Sequence, residues 1–347
     1  MTDLAQRFLE NPIVTTQQVV PSIEGFEVTS AFNPGAFEYQ GRIGLVLRVA
    51  ERPVQHAESV STPILSPDGS IEVVSFSTHD PKLETGDPRG FRYDGQDYLT
   101  TLSHLRLAWS EDGIHFKIER DPIMVGLGIH ETFGVEDARV TEIDGRYYLT
   151  YTAVSNNGFG VGMRSTRDWK SFEHHGMVIP PANKDCALFP EKIGGFYHML
   201  HRPTGTGLGA NCIWTARSPD LEHWGDHRFL ARPRAGMWDE ARVGAGAAPI
   251  RTDAGWLEVY HGANHKNRYC LGALLLDLEN PGKVIARSEQ PIMEPSAAYE
   301  REGFFGNVVF NNGNIVRGDE LIVYYGAADS VSCGAKLSIR QILNSLN

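Results

Sequence analysis

Polar residues that could carry acid–base or anion chemistry recur at regular places along the sequence. One group precedes short runs in which apolar and polar residues alternate: Asn33, Asp87 with Arg89, Asp137 with Arg139, Lys184 with Asp185, Asp239 with Glu240 and Arg242, and Asn307. A second group ends such runs: Arg48, Arg202, His261 and Asp329. Carboxylates, amides and cations interleaved with Trp and Tyr suit sugar binding. A carboxylic acid among them could protonate a glycosidic oxygen.

The runs that must position these residues form an internal repeat. A Gly turn followed by an aromatic and β-branched strand occurs at Gly41, Gly95, Gly145, Gly195, Gly255 and Gly318. Alternation of period two predicts antiparallel strands joined by tight turns, with about four strands in each unit. Units of this size are typical of propeller blades. The sequence therefore predicts an all-β fold, a β-propeller of five or six blades, in which the polar residues meet at one mouth.

The regular spacing favours one propeller domain over residues 1–347, with residues 1–25 as an N-terminal extension. The alternative is a β-sandwich whose Gly-aromatic hairpins recur by chance. Helical periodicity is nearly absent, and only the first dozen residues and the stretch 338–346 are compatible with helix.

Composition excludes several classes of function. The net charge of −11 argues against nucleic-acid binding and against a polybasic membrane module. No apolar run approaches the roughly 20 residues of a membrane span, and the N-terminus does not resemble a secretory signal. The four cysteines stand singly, which suits a reducing cytoplasm. A cytoplasmic protein with no nucleic-acid or membrane partner is expected.

Metal and nucleotide chemistry are not expected either. His198 and His201 have a metal-like spacing, but residues three apart on a strand point to opposite faces. The sequence has no phosphate-binding P-loop and no G-x-S-x-G elbow. We therefore expect no metal and no cofactor.

Six motifs, in order from about residue 30 to 340, resemble glycoside hydrolase family 130, which contains β-mannoside phosphorylases and β-mannosidases. They are GVEDARV at 134–140, LFPEK at 188–192, MLHRP at 199–203, VGAGAAPI at 243–250 with VYHG at 259–262, LGALLLDLENP at 271–281, and NVVF at 307–310 with YYGAAD at 324–329. The resemblance implies a five-bladed β-propeller, which decides between five and six blades.

The resemblance also implies an inverting phosphorolysis in which Asp137 is the general acid and acts through a sugar hydroxyl. Inorganic phosphate, the co-substrate, would attack a β-mannoside (a manno-oligosaccharide or mannosyl-glucose) and give α-mannose 1-phosphate. The implied phosphate ligands are Arg202, Arg242 and His261, and the implied sugar ligands are Asn33, Arg48 and Asp329. Such a reaction needs a cationic cradle for phosphate and no general base.

Two departures keep an inverting β-mannosidase open as the alternative. Arg242 stands where family phosphorylases usually carry Lys, and residues 155–157 read Ser-Asn-Asn where some members have an Arg-Asn pair. Family hydrolases have lost part of the cradle and have gained Glu residues that activate water. Glu240 is the candidate base, with Asp239 as a weaker one. Three basic residues at one mouth favour the phosphorylase.

Three further expectations remain. A non-catalytic propeller that binds a sugar is the alternative from another class of function. Residues 77–106 do not match the commonest family pattern and are expected to shape the pocket for the acceptor sugar. A homo-oligomer is compatible with the sequence, but no segment of it identifies an interface.

Overall fold

Antiparallel strands make up most of the regular structure in the computed structural model, which describes residues 3–66, 68–87, 90–205 and 211–346. Two short α-helices, α1 (Ala298–Arg301) and α2 (Ile339–Asn344), lie near the C-terminus of this part of the chain. Helix α2 lies within residues 338–346, a stretch whose sequence is compatible with helix. Residues 3–12 contain no helix and include strand β1 (Gln6–Arg7). No helix of the described residues is long and apolar enough to cross a membrane.

The first sheet contains a large insertion. It begins with β2 (Phe26–Tyr39) and β3 (Arg42–Pro53). The chain then forms five short strands outside the sheet: β4 (Ser59–Leu65), β5 (Ile71–Ser77), β6 (Leu83–Asp87), β7 (Gly90–Tyr93) and β8 (Gln96–Leu99). It returns with β9 (Leu102–Ser110) and β10 (Lys117–Ile118), and the sheet has the order β10-β9-β3-β2.

The insertion corrects one prediction from the repeat. Gly95 was expected to open a propeller unit, but its hairpin joins β7 to β8 in the small sheet β6-β7-β8. Strand β9 takes the place beside β3, with pairing from Ile43–Ser110 to Glu51–Leu102. A Gly turn specifies a hairpin locally, but not the sheet that the hairpin joins.

The next two sheets follow the chain without interruption. One has the order β11-β12-β13-β14 and contains β11 (Val135–Ile143), β12 (Arg146–Ser155), β13 (Gly158–Thr166) and β14 (Glu173–Ile179). The other has the order β15-β16-β17-β18 and contains β15 (Asn183–Leu188), β16 (Tyr197–Pro203), β17 (Ile213–Ser218) and β18 (Gly225–Ala231). Each is an antiparallel meander, and residues 144–145 and 156–157 form tight turns between β11, β12 and β13.

The last two sheets complete the series. One runs β19-β21-β22-β23, with β20 also paired to β21, and contains β19 (Arg242–Gly244), β20 (Ile250–Thr252), β21 (Gly255–Ala263), β22 (Tyr269–Leu276) and β23 (Val284–Arg287). The other contains β24 (Val309–Arg317), β25 (Glu320–Ala327) and β26 (Val331–Ser338), and β1 pairs with β26 on its outer edge. Residues 6–7 therefore belong to a sheet, although 1–25 was predicted to be an extension.

Apolar side chains fill the spaces between consecutive sheets. Clusters of buried residues join the first sheet to the second, the second to the third, the third to the fourth and the fourth to the fifth. A further cluster, with Leu45 and Tyr324, joins the fifth sheet back to the first. The alternating strands thus bury both faces, and each fully buried large apolar side chain contributes about 1.5–3 kcal/mol. The four cysteines lie within the described residues, are buried and form no disulfide.

Candidate active site

A cavity of about 720 Å³ gathers residues from several of these sheets. Of the residues expected from the sequence to have a catalytic or binding role, five line it: Asn33, Arg48, Asp137, Arg202 and Asp329. They come from β2, β3, β11, β16 and the turn after β25. The structure therefore brings the implied acid, the implied sugar ligands and one implied phosphate ligand to a single place, although they span most of the chain.

Four of the described lining residues have left-handed backbones: Asn33, Asp137, Asp185 and Asp329, with φ angles of 46°, 52°, 53° and 49°. The first three lie at register shifts, in β2, β11 and β15 respectively. A β-bulge re-aims a side chain, and Asn and Asp tolerate the left-handed region better than most residues. The same local device thus presents an amide or a carboxylate to the cavity from three sheets.

Asp137 is nearly buried and held by two donors. Its Oδ1 accepts hydrogen bonds from Asn33 Nδ2 at 2.9 Å and from Arg48 Nη1 at 3.1 Å. Arg48 also donates to Glu136 Oε1 at 2.7 Å and to the Ser103 hydroxyl at 3.1 Å. Burial alone would raise the pKa of the Asp137 carboxyl, but the nearby charge of Arg48 and the other cations outweighs it and lowers that pKa.

Arg139 has a structural role beside the acid. It is 1% exposed and donates to the backbone oxygens of Asp137, Ala245 and Gly246. Its charge pairs with Asp185, at 3.2 Å, and not with the Asp137 carboxylate. Asp137 therefore remains available to a ligand in the cavity.

Asp185 is the centre of a buried cluster of two arginines and a histidine. Its Oδ1 lies 3.2 Å from Arg139 Nη2, and its Oδ2 lies 3.0 Å from Arg202 Nη1 and 3.1 Å from His261 Nε2. Burial opposes ionisation, but Arg202, His261 and Arg139 together keep the pKa of Asp185 well below its usual range. In the sequence, Asp185 stood out only as one of the polar residues that precede alternating runs. Its place before a strand, equivalent to Asn33 and Asp137, was the signal.

The other two implied phosphate ligands lie behind the cavity wall. His261 is fully buried, and burial lowers the pKa of its imidazole to about 4, so it is neutral near pH 7. Arg242 donates to the Tyr269 hydroxyl and to Asn267 Oδ1, both at 2.9 Å. Among the described lining residues, Tyr269 is present while His261 and Arg242 are not. Lys184, which we had not assigned, also lines the cavity.

Glu240 and Asp239 lie outside the described lining of the cavity. Glu240 Oε2 accepts a 3.3 Å hydrogen bond from Gly236 N, whereas Arg242 donates to Asn267 and Tyr269. Asp239 is fully buried and pairs with Arg234 and Arg287. A role for Glu240 as base stays a prediction.

Glycines let the strands approach closely at this site. A Cβ atom at Gly326, in the YYGAAD motif, would lie 1.9 Å from Asn33 Oδ1. A Cβ at Gly244 would lie 2.3 Å from Asp185 Oδ2 and 2.4 Å from His261 Nε2. Only hydrogen fits at either position, so these glycines set the positions of Asn33 and of the cluster around Asp185.

The insertion forms one wall of the cavity. Its lining residues include Glu84, Arg92, Asp97 and Tyr98, and Tyr98 stacks on Phe91 with ring centroids 5.3 Å apart. Segment 77–106 is therefore part of the pocket wall. Arg89 and the side chain of Asp87, which we had also singled out, lie outside the described residues.

The arrangement can perform acid-assisted transfer to an anion. A carboxyl group, Asp137, and two cations, Arg202 and Lys184, face one cavity large enough for a small oligosaccharide. Within the described residues, no three His, Cys, Asp or Glu side chains are grouped so as to hold a metal ion.

Known proteins resemble this chain along its whole length. The model of glycoside hydrolase family 130, described as beta-1,4-mannooligosaccharide phosphorylase, matches residues 89–347. A beta-1,2-mannobiose phosphorylase of Listeria innocua is 45% identical over 346 residues, 98% of each chain. A 1,2-beta-oligomannan phosphorylase of Thermoanaerobacter is 43% identical over 248 residues, 71% of this chain and 82% of the other.

A solved structure agrees with these sequence matches. The Listeria innocua beta-1,2-mannobiose phosphorylase in complex with beta-1,2-mannobiose superposes with a TM-score of 0.96 at 45% identity, covering 99% of each chain. The fold and the site define a carbohydrate-active enzyme. The chain belongs to glycoside hydrolase family 130, as the sequence motifs indicated.

Proposed function

We propose that this protein is an inverting β-1,2-mannoside phosphorylase that converts β-1,2-mannobiose and inorganic phosphate into α-mannose 1-phosphate and mannose. The observation that carries the proposal is the presence of Asp137 and the cations Arg202 and Lys184 in the lining of one cavity. The linkage comes from the relatives, two of which are named for β-1,2-mannosides.

The reaction forms one bond to the anomeric carbon and breaks another. A phosphate oxygen forms a bond to the anomeric carbon while the bond from that carbon to the leaving oxygen breaks. The leaving oxygen takes a proton that originates on Asp137 and passes through a sugar hydroxyl. Attack opposite the leaving group inverts the β-mannoside to the α-phosphate.

The charges of the site suit this sequence of events. Arg48 and the other cations favour the ionised form of Asp137. A phosphate anion near Arg202 and Lys184 would offset those cations and raise the pKa of Asp137, which favours the protonated acid when both substrates are bound. Phosphate is already anionic and needs no base to activate it, in contrast to water.

The position of Glu240 distinguishes the proposed phosphorylase from the hydrolase alternative. An inverting hydrolase needs a second carboxylate that activates water on the face opposite the acid. Glu240, the candidate, does not line the cavity in the described residues and accepts a hydrogen bond from Gly236 N. We expect the Glu240→Gln variant to keep phosphorolysis within about twofold of the parent protein.

We also infer that the five sheets are the blades of a five-bladed β-propeller. They follow each other in chain order, and apolar clusters join each sheet to the next and the last to the first. The bulged strands β2, β11 and β15 all face one cavity, as the inner strands of blades would. A single domain, a cytoplasmic location and the oligomeric state stay predictions.

The experiment that tests the function is a rate measurement with and without inorganic phosphate. The 1,2-, 1,3- and 1,4-linked β-mannobioses and mannosyl-glucose are the substrates. We expect cleavage of the 1,2-linked disaccharide only when phosphate is present. Equal cleavage without phosphate would identify a hydrolase, and binding without cleavage a sugar-binding protein.

A further inference from the structure

We infer that Asp185 is the positioning residue of the phosphate site and, together with the buried His261, holds Arg202 in the arrangement that phosphate requires. The inference deepens the proposed phosphorolysis and rests on it. Asp185 touches neither reacting atom in this proposal. It acts through Arg202, which it orients, and its own negative charge would by itself oppose phosphate.

The first support is the convergence of strands on one carboxylate. Asp185, on β15, contacts Arg139 from β11, Arg202 from β16 and His261 from β21. These strands belong to three different sheets. Asp185 is 2% exposed, and a buried carboxylate persists in the ionised form only when such partners compensate for the lost hydration.

The second support is the geometry at Asp185 Oδ2. Arg202 Nη1 lies 3.0 Å from this oxygen, but its N–H bond does not point at Oδ2 well enough to form a hydrogen bond. The attraction between Arg202 and Asp185 is therefore mainly coulombic. Arg202 Nε also has no hydrogen-bond partner in the described structure, although it is buried. Donors of Arg202 thus remain for an oxyanion in the cavity.

The third support is the state of His261. Its Nε2 lies 3.1 Å from an ionised carboxylate, so Nε2 carries a proton, because two lone pairs would repel at that distance. Asp185 thereby selects the tautomer of a fully buried imidazole. Arg202 Nη1 lies 3.5 Å from the same nitrogen. Because a guanidinium only donates and Nε2 is protonated, this is a packing contact and not a hydrogen bond. His261 is fully buried, so Arg202 is the member of the pair that can donate to a phosphate in the cavity.

The chain offers a matched control in Asp239. It is also a fully buried aspartate and pairs with two arginines, Arg234 at 2.8 Å and Arg287 at 2.6 Å. It lies outside the described lining of the cavity. If the Asp185 carboxylate only stabilised the fold, Asp185→Asn and Asp239→Asn should therefore have equal effects on stability and on phosphate binding.

The test measures inorganic phosphate binding by titration calorimetry and steady-state kinetics with β-1,2-mannobiose. We expect Asp185→Asn to weaken phosphate binding and raise the phosphate KM about 10-fold or more. The KM for the disaccharide should change less than about threefold. Asp239→Asn should lower the melting temperature while leaving the phosphate KM within about twofold.

A double-mutant cycle shows whether Asp185 acts through Arg202. In an Arg202→Ala background, Asp185→Asn should weaken phosphate binding no further. Tighter phosphate binding by Asp185→Asn would overturn the inference, because the carboxylate would then act only as a repelling charge. An equal rise of the phosphate KM in Asp239→Asn would also overturn it. If the parent protein bound no phosphate, the proposed function itself would fall.

Discussion

Asn33 Nδ2 donates a 2.9 Å hydrogen bond to Asp137 Oδ1 across 104 positions of sequence, and both residues have left-handed backbones. This hydrogen bond joins residues of two different sheets and not neighbours in the chain. The acid is therefore positioned by the packing of two sheets against each other, and changes at the junction of those sheets should affect its chemistry.

Asp137→Asn should abolish phosphorolysis while leaving the fold intact. Loss of general acid catalysis costs about 10²- to 10⁴-fold in rate. A 2,4-dinitrophenyl β-mannoside, whose leaving group needs no proton, provides the control: the variant should cleave it with a far smaller loss. An equal loss on both substrates would show that Asp137 is not the acid.

Removal of Arg48 should move the pH profile of activity to higher pH. Arg48 lowers the pKa of Asp137, and an acid must be protonated to act, so activity falls as pH rises through that pKa. In Arg48→Met the pKa rises, and the alkaline limb of kcat/KM should shift upward by about one pH unit. The position of the limb is diagnostic even if the rate falls. A limb that stays in place would contradict the account.

Gly326→Ala should damage the site from outside the cavity. The new Cβ would lie 1.9 Å from Asn33 Oδ1, so Asn33 must move away from Asp137. We expect a loss of about 1–3 kcal/mol in the free energy of unfolding, with reduced kcat. Gly225→Ala is the control, because no heavy atom lies within 4 Å of its added Cβ. Equal effects of the two variants would exclude the crowding argument.

Glu258 predicts a pH-dependent stability. It is fully buried and accepts a hydrogen bond from Gly246 N, and burial raises the pKa of its carboxyl to about 8. The unfolded chain, with a usual pKa of 4.5, releases this proton at lower pH than the folded chain. Stability should therefore fall as pH rises from about 4.5 to about 8, by at most about 1.4 kcal/mol per unit.

Glu258→Gln removes this titration. Thermal unfolding of the variant and the parent at pH 5 and pH 8 checks the prediction. The melting temperature of the variant relative to the parent should be higher at pH 8 than at pH 5. The same difference at both pH values would show that Glu258 is ionised in the folded protein.

Much of the fold follows from the sequence because it is encoded locally. Period-two alternation and Gly turns specify hairpins, and the hairpins at Gly41, Gly145, Gly195, Gly255 and Gly318 each join neighbouring strands of a large sheet. The hairpin at Gly95 has the same local signal, yet it lies in the insertion. Its assignment depends on the long pairing of β9 with β3, which no local pattern encodes.

Site residues that belong to family motifs could be predicted from the sequence. Roles that depend on which side chains are buried together could not. Asn33, Arg48, Asp137, Arg202 and Asp329 all reach the cavity. The motif for His261 does not reveal that Asp185 lies between three sheets and contacts the imidazole. Nor does the position of Glu240, two residues before Arg242, show that the two side chains bind different partners.

The most direct test of the account is the ³¹P and ¹H NMR spectrum of the parent protein with β-1,2-mannobiose and inorganic phosphate. We predict that the phosphate signal declines as α-mannose 1-phosphate and one equivalent of mannose appear, with no β-anomer of the phosphate. Two equivalents of free mannose with an unchanged phosphate signal would contradict the account and identify a hydrolase.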